Sequence, residues 1–378
     1  MRSTSDKRRL VAVCCGLMFA YGCFLGAIQT VIESVASGLN LDTAGMGALV
    51  SAQHLPAAFV PVLMGAVSDR IGRKPVIATF CAVFGVGLAI CGSARTPWVY
   101  VLGAIAVGAG YSVCESGCCA AMSDLGPDWG ARGINLSQAL LCLGAVLSPL
   151  LVRAAHLSWR AALYLCAGCY AVMLPILLVV RFPLPAAAET RARGGARSLF
   201  SSRAFLCLFA AILLYVGLEN GFGYFIESLI SGRFRQTAVS CVSLYWLGMM
   251  LSRFVFSSLR YSAKPVLIGG FALSAALFVA LTAARAAWLS LAMCFLTGFA
   301  FGPIWSTLVA EATARHPAHA GAVSGLMSAG CGAGGILFPA LTGLAAQHFS
   351  LTAAFALLGA VALLGGALCV LLPEQRSR

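Results

Sequence analysis

The stretch Gly65-Ala66-Val67-Ser68-Asp69-Arg70-Ile71-Gly72-Arg73-Lys74 is a short charged turn between two long apolar segments. A charged connection of this kind is typical of a cytoplasmic loop that joins two membrane helices. A partial copy of the stretch, at residues 248–253, lies in the second half of the chain. The turn and its copy therefore indicate a membrane protein built from two related halves.

The composition supports a membrane protein. Of 378 residues, 60% are hydrophobic and 10% are charged, and the mean hydropathy is +0.92, whereas a soluble domain has about 25% charged residues. The net charge of +13 is spread over the connections between apolar segments. This distribution argues against a nucleic-acid-binding face.

Most of the 16 cysteines lie inside apolar runs. Cys166 and Cys169 have C-x-x-C spacing, but no second pair and no nearby histidine completes a metal site. We interpret the cysteines as small side chains at helix contacts. We expect no metal and no cofactor.

A membrane helix needs about 20 apolar residues, and twelve segments of about that length are present. The predicted spans are 10–32, 44–67, 76–92, 98–122, 134–156, 161–180, 204–230, 238–257, 265–283, 287–310, 320–344 and 351–372. The apolar run after the basic residues 1–9 is too long for a signal peptide and is assigned as the first span. The predicted fold is an all-α integral membrane protein with twelve transmembrane helices in two pseudo-symmetric six-helix bundles.

The distribution of Lys and Arg predicts the orientation. With the N-terminus inside, 18 of these residues lie on the cytoplasmic side and six on the outer side, as the positive-inside rule requires. We expect both termini in the cytoplasm and the chain in the plasma membrane. The predicted domains are bundles at 1–180 and 204–378, joined by a cytoplasmic linker at 181–203.

An offset of 190 residues aligns uncommon residue types in corresponding spans. The coinciding residues are Lys74-Pro75-Val76 with Lys264-Pro265-Val266, Gly108 with Gly298, Gly144 with Gly334, and Pro149 with Pro339. Two such halves imply a pseudo-two-fold axis along the membrane normal and a cavity between them. This architecture exposes one site alternately to each side of the membrane.

Residues 65–74 resemble the G-x-x-x-D-R-x-G-R-[RK] motif that major facilitator superfamily transporters carry between their second and third spans. Within that superfamily the chain is more similar to fucose-permease-like sugar:proton symporters. Three stretches carry this likeness: 114–138, with Cys114-Glu115 and Asn135-Leu136-Ser137-Gln138; Tyr215-Val216-Gly217-Leu218-Glu219; and 248–254. The resemblance implies secondary transport with a proton-handling carboxylate at Glu115.

Two acids lie within predicted spans, where an ionisable side chain costs about 3 kcal/mol and usually faces a cavity. Glu115 shares a helix face with Tyr111, and Glu219 lies one turn after Tyr215 and beside Asn220. We predict that this group binds substrate or protons. The alternative is that each acid is a neutral hydrogen-bonding group that joins two helices.

Further polar and aromatic residues within spans are candidates to line the same site. They are Gln29, Gln53, His54, Trp246 and Trp305. Each one alone is also compatible with packing between helices.

A cytoplasmic gate is the second predicted site. Its candidates are Gly65, Asp69, Arg70, Gly72, Arg73, Lys74, Asp124 and Arg253. The resemblance implies that the turn latches the cytoplasmic side when the outer side is open. In the second half Ser252 stands at the position of the acid, so that copy is expected to latch less well.

No phosphate-binding loop and no nucleophile with a paired base is visible, which argues against an enzyme. The favoured hypothesis is a proton-coupled symporter of a sugar or similar polar metabolite. Proton-coupled efflux of amphipathic compounds is the alternative, and a non-transporting membrane sensor is a third class. The expected partners are a small-molecule substrate, protons and the lipid bilayer, with no nucleic acid, and a monomer is the expected functional unit.

Overall fold

The computed structural model describes residues 4–182, 199–234, 240–259, 261–316 and 319–373. Its described residues form helices and turns, with no strand among them. The helices are α1 (Thr4–Gly38), α2 (Thr43–His54), α3 (Val60–Ile71), α4 (Arg73–Ser93), α5 (Pro97–Ser123), α6 (Pro127–Ala154), α7 (Trp159–Val179), α8 (Arg203–Ser231), α9 (Cys241–Ser258), α10 (Ala263–Ala283), α11 (Ala287–Phe301), α12 (Ile304–Arg315), α13 (Ala320–His348) and α14 (Leu351–Val370).

Eleven segments of the described chain are long and apolar enough to cross a bilayer. The eighth predicted span is the 18-residue helix α9, which carries Arg253. Together these segments give the twelve predicted spans of a multi-pass membrane protein. Most of the predicted linker lies outside the described residues, since 183–198 are not described.

Two spans predicted as continuous are interrupted. In the second span, a 3-10 turn at Pro56–Ala58 separates α2 from α3, and Pro61 follows in the first turn of α3. In the tenth span, Pro303 separates α11 from α12. Proline has no backbone N–H and clashes with the preceding turn, so it interrupts a helix. The first interruption leaves Gln53 and His54 at the end of α2.

The internal repeat is visible in helix packing. Gly108 on α5 lies against the backbone carbonyl of Gln53 on α2, and Gly298 on α11 lies against that of Tyr245 on α9. A Cβ atom at either glycine would collide with the carbonyl oxygen. Small residues allow membrane helices to approach this closely. The fourth span of each half therefore packs on the second span of that half in the same way.

The two halves, α1–α7 and α8–α14, meet along two helix pairs. Helix α2 packs against α13, and α6 packs against α9. We call the face of the bundle at which α1 begins and α14 ends the terminal face, and the opposite one the distal face. The candidate site lies between the halves.

Candidate functional site

A polar cluster in the middle of the bundle links the two halves. Gln138 Nε2 on α6 donates to Glu115 Oε1 on α5 at 3.4 Å. One turn further along α6, Cys142 Sγ accepts a hydrogen bond from Arg253 Nη1 on α9 at 3.4 Å. Arg253 also interacts electrostatically with Glu115. The first predicted acid therefore lies beside a cation that comes from the other half.

The second predicted acid belongs to the same cluster. Glu219 on α8 interacts electrostatically with both Arg253 and Glu115, and it lies one turn of α8 from Tyr215. The Tyr215 hydroxyl lies within hydrogen-bond distance of the Phe301 carbonyl, at 3.3 Å. Glu115, Glu219 and Arg253 are all partly buried. We call Glu115, Gln138, Cys142, Glu219 and Arg253 the central cluster.

Trp305 lies at the edge of this cluster. Its side chain interacts with Cys331, and Cys331 interacts electrostatically with both carboxylates of the cluster. The indole is 41% exposed, so it offers a flat apolar surface beside the charged groups. Asn220, in contrast, donates through Nδ2 to the Val216 carbonyl of its own helix at 2.8 Å.

A layer of buried side chains covers the central cluster on its distal side. Trp246 Nε1 donates to Gln29 Oε1 at 2.8 Å, and Gln53 Nε2 donates to the Tyr224 hydroxyl at 3.3 Å. Both hydrogen bonds join the two halves. Trp246 lies two turns of α9 nearer the distal face than Arg253. These contacts therefore close the site toward the distal face.

His54 and Tyr111 complete this layer, which we call the roof. The His54 ring lies 6.2 Å from the Tyr111 ring and 6.3 Å from the Tyr224 ring, between centroids. Its Nδ1 lies 3.0 Å from the Val50 carbonyl oxygen. Tyr111 is one turn of α5 nearer the distal face than Glu115. His54 is therefore a packed member of the roof, beside the site.

Polar contacts at the distal face also join the halves. Arg153 on α6 forms an ion pair with Glu227 on α8. The Ser228 hydroxyl donates to Glu33 Oε2 at 2.8 Å. Gln347 Nε2 on α13 donates to Asp42 Oδ2 at 2.7 Å. We call these three contacts the distal clasp.

The charged turn at residues 65–74 lies at the terminal face. Arg73 forms ion pairs with Asp69 at 2.6 Å and with Asp124 at 3.2 Å. Lys74 Nζ donates to the Leu178 carbonyl at 2.6 Å, and Arg70 is exposed. All of these contacts stay within the first half.

The two glycines of the turn have different surroundings. Gly72 has φ +97°, a conformation that favours glycine, and a Cβ atom at Gly65 would meet no atom within 4 Å. Gly72 therefore permits the sharp connection between α3 and α4. Gly65 leaves open space beside α3.

The structure changes the placement of Arg253. The sequence assigned it to the gate, because it belongs to the partial copy of the charged turn. The structure instead brings its guanidinium to Cys142 and within electrostatic range of both central acids. Five residues of α9 follow Arg253 before the helix ends at Ser258, so the side chain comes from within the span.

Sequence reasoning missed several residues of these sites. Cys142 was assigned to packing, and Gln138 contributed only to the family resemblance. Glu33 and Glu227 had no assigned role, and Arg153 was counted only for orientation. Each of them acts with a partner in another helix, and no sequence pattern pointed to that partner.

A family model described as the Major Facilitator Superfamily matches residues 10–259 and 230–378. Over 346 residues, or 86% of each chain, this chain is 25% identical to the "Uncharacterized MFS-type transporter YfkL" of Bacillus subtilis (strain 168). Over 176 residues, or 45% of each chain, it is 26% identical to the multidrug resistance protein MdtL of Shigella dysenteriae serotype 1 (strain Sd197). Among solved structures, a single-residue variant of the nucleoside transporter NupG matches with a TM-score of 0.83 and 16% identity, over 97% of this chain and 100% of that chain.

Proposed function

Because this chain belongs to the Major Facilitator Superfamily, we propose that it is a proton-coupled secondary transporter of a small polar organic solute. The site is the central cluster. The solute and the proton bind between the two halves, and rocking of the halves exposes them alternately to the two faces.

One observation carries this proposal: acids from both halves, Glu115 and Glu219, share the central cluster with Arg253 below a closed roof. A buried carboxyl group in a low-dielectric site is costly when ionised, and it can take up a proton instead. Gln138 donates a hydrogen bond to Glu115, and Tyr215 lies one turn of α8 from Glu219. Proton uptake and release at the interface of the halves would link protonation to their movement.

The conformation of this structure fits the state of a transport cycle in which the site is closed toward the distal face. The roof and the distal clasp close the distal side, while Glu115, Glu219 and Arg253 remain partly accessible. We propose that the terminal face is cytoplasmic, because 18 Lys and Arg are expected on that side and six on the other. We further propose that the chain acts as a monomer in the plasma membrane.

The resemblance to fucose-permease-like symporters makes uptake of a sugar or a similar polar metabolite the first candidate. Proton-coupled efflux of amphipathic compounds is the second, and the partly exposed Trp305 beside the cluster favours it. Relatives named for drugs and for nucleosides match this chain. Their names support transport without a preference between the two candidates.

The test is reconstitution in vesicles that contain a pH-sensitive dye, with sugars, nucleosides, organic acids and cationic dyes added outside. Uptake by symport acidifies the lumen when solute is added, whereas exchange of solute for protons makes it alkaline. We expect Glu115→Gln and Glu219→Gln to lower gradient-driven accumulation at least tenfold, and to retain exchange of labelled for unlabelled solute.

Glu311→Gln is the matched control, since Glu311 pairs with Arg315 on its own helix α12. Its proton coupling should equal that of the wild type. If Glu115→Gln and Glu219→Gln both keep full proton coupling, the proposed proton site is wrong.

A further inference from the structure

The guanidinium of Arg253 has fewer hydrogen-bond partners than its position within a membrane span requires. A guanidinium carries five N–H donors. Among the described residues, its one hydrogen-bond partner is Cys142 Sγ, at 3.4 Å, and sulfur is a weak acceptor. An arginine within a span is costly unless it pairs with an anion or polar groups. Most of the donor capacity of Arg253 therefore remains unused in this conformation.

The other arginines that contact neighbouring helices are better satisfied. Arg73 and Arg153 form ion pairs with carboxylates. Arg160 donates to the carbonyls of residues 92 and 94, and Arg233 donates to the Leu281 carbonyl and to the Thr352 hydroxyl. These four arginines have oxygen acceptors, whereas the hydrogen-bond partner of Arg253 is a thiol sulfur.

The acids nearest to Arg253 have other polar neighbours. Glu115 accepts a hydrogen bond from Gln138, and Glu219 lies one turn of α8 from Tyr215. Both interact with Arg253 through space, but within the described part of the chain neither lies within the 4.0 Å of an ion pair. A gap therefore separates the guanidinium from the two carboxyl groups.

From this arrangement we propose that the transported solute is a small organic carboxylate whose anionic group binds the guanidinium of Arg253. The inference rests on the proposed function and specifies its substrate class. A guanidinium matches a carboxylate with two parallel hydrogen bonds. The roof closes the distal side of the cluster, so the anion enters from the terminal face and stops at Arg253.

The charges of the cluster explain why such a solute would move with protons. With Glu115 and Glu219 both ionised, the cluster carries one net negative charge and repels an anion. Protonation of one acid makes the cluster neutral, and protonation of both acids leaves it with the positive charge of Arg253. Binding of the anion and of protons therefore favour each other. A single cation also suits a monoanion better than the dianion of a phosphate ester.

The experiment uses matched pairs of solutes that differ in one charge. The pairs are glucuronate with glucose and benzoate with benzamide, and glucose 6-phosphate tests a phosphate ester. Labelled uptake and lumen pH are measured together in vesicles that contain the full chain. We expect wild-type protein to move the carboxylate of at least one pair with protons, and its neutral partner at least tenfold more slowly.

The variants test the role of Arg253 directly. We expect Arg253→Gln to lower carboxylate uptake at least tenfold and Arg253→Lys to keep part of it, since lysine keeps the charge but loses the paired donors. Arg132→Gln, which changes an exposed arginine of α6, is the control and should match the wild type.

Thermal unfolding separates binding from a structural role. A ligand that binds the folded protein raises its unfolding temperature. We expect the transported carboxylate to stabilise the wild type, and to have no such effect on Arg253→Gln. Without ligand, Arg253→Gln should unfold at or above the wild-type temperature, because it removes a cation with little pairing. A large decrease would instead indicate a structural role and contradict the inference.

The outcomes distinguish this inference from the proposed function. If neutral solutes move with protons as well as carboxylates do, or if Arg253→Gln moves carboxylates normally, the anion site is wrong and proton-coupled transport stands. If only glucose 6-phosphate moves, the carboxylate is the wrong anion. If wild-type protein moves no member of either pair and no phosphate ester, but moves a nucleoside or a cationic dye with protons, the anion site is wrong and proton-coupled transport stands. If it moves none of these solutes under a pH gradient, both proposals fail.

Discussion

The two faces of the bundle are held together in different ways. At the distal face the polar contacts join the halves, as in the Arg153–Glu227 and Asp42–Gln347 pairs. At the terminal face the described polar contacts join helices of the same half, as in the Asp69–Arg73–Asp124 group and the Arg315–Glu311 pair. Among the contacts described for residues 4–182, 199–234, 240–259, 261–316 and 319–373, polar pairs between the halves therefore lie at the distal face and in the middle of the bundle. In this conformation the ion pairs of Arg73 in the charged turn join helices of the first half.

This contrast predicts which residues control access to the site. Cys241 is a native reporter, because it is fully buried at the start of α9 and its thiol contacts Glu227 of the distal clasp. A membrane-impermeant thiol reagent added on the distal side should modify Cys241 only when that face opens. Peptide mass spectrometry distinguishes it from the other cysteines of the chain.

The largest expected effect comes from filling the distal contact between α2 and α13. A Cβ atom at Gly47 would collide with the Pro339 carbonyl oxygen, so Gly47→Leu should prevent the distal face from closing. We expect transport to fall at least tenfold and distal modification of Cys241 to increase, since overpacking costs about 1–3 kcal/mol or more.

Gly168→Leu is the matched control, since a Cβ atom at Gly168 would meet nothing within 4 Å. It should behave as the wild type in both measurements. Normal transport by Gly47→Leu, with Cys241 still protected, would show that the distal contact does not have to close.

A somewhat smaller effect is expected from breaking the distal ion pair. Arg153→Gln leaves Glu227, which is 12% exposed, without its cation. Removing one partner of a fully buried pair costs 3–5 kcal/mol, and the 32% exposure of Arg153 reduces this to roughly 2 kcal/mol. We expect Cys241 to be modified roughly 10- to 30-fold faster from the distal side.

Exchanging the two charges, with Arg153→Glu and Glu227→Arg together, should restore much of the protection. Arg285→Gln, at an exposed distal arginine, should have no effect. Unchanged Cys241 modification in Arg153→Gln would show that the ion pair does not hold the halves together.

The Asp69–Arg73–Asp124 group at the terminal face should affect the stability of the protein rather than access to the central cluster. Arg73 is 12% exposed, and Arg73→Gln leaves two acids, Asp69 and Asp124, without it. We expect a loss of about 1–2 kcal/mol, seen as a lower apparent unfolding temperature in detergent. Distal modification of Cys241 should remain at the wild-type rate.

Arg70→Gln is the control for this position, because Arg70 lies in the same turn and is exposed. It should leave the unfolding temperature unchanged. If Arg73→Gln exposes Cys241 as strongly as Arg153→Gln does, the terminal group acts on both halves and the contrast between the faces is wrong.

The sequence was sufficient to predict the helices and the repeat. Apolar length predicted the spans, because a bilayer imposes it, and Gly108 and Gly298 aligned because close helix contacts require small residues. The acids Glu115 and Glu219 were recognisable because charges within spans are rare. The internal repeat predicted a cavity between the halves, and both acids were expected to line it.

The contacts across the interface were not predictable from the sequence. Gln29 and Trp246 are 217 residues apart, and Arg153 and Glu227 lie in different halves. In a soluble helix the apolar stripe indicates which side is buried, but in a membrane the lipid-facing and buried sides are both apolar. The rotation of each helix, and hence the reach of Arg253 to Cys142, depends on packing that the sequence pattern does not encode.

The smallest expected effect concerns the exposed part of the distal clasp and its dependence on pH. The Gly45 N–H and the Gln347 amide donate hydrogen bonds to the Asp42 carboxylate, and they hold the pKa of Asp42 below its usual range. A carboxyl group whose pKa is lower in the folded state stabilises that state above its ordinary pKa of about 3.9. This contribution is lost as the pH falls through the lowered pKa.

The contribution of Asp42 to stability should therefore not change between pH 5 and pH 8, because its carboxylate is ionised in both the folded and the unfolded state over that range. The asparagine of Asp42→Asn would still cap α2 through its side-chain oxygen. We therefore expect the unfolding temperature of Asp42→Asn to differ from that of the wild type by a small amount that stays constant over that range. The difference should shrink below about pH 4, because the wild-type carboxylate then loses its charge as well. A difference that changes between pH 5 and pH 8 would mean that another titrating group acts on the Asp42–Gln347 contact.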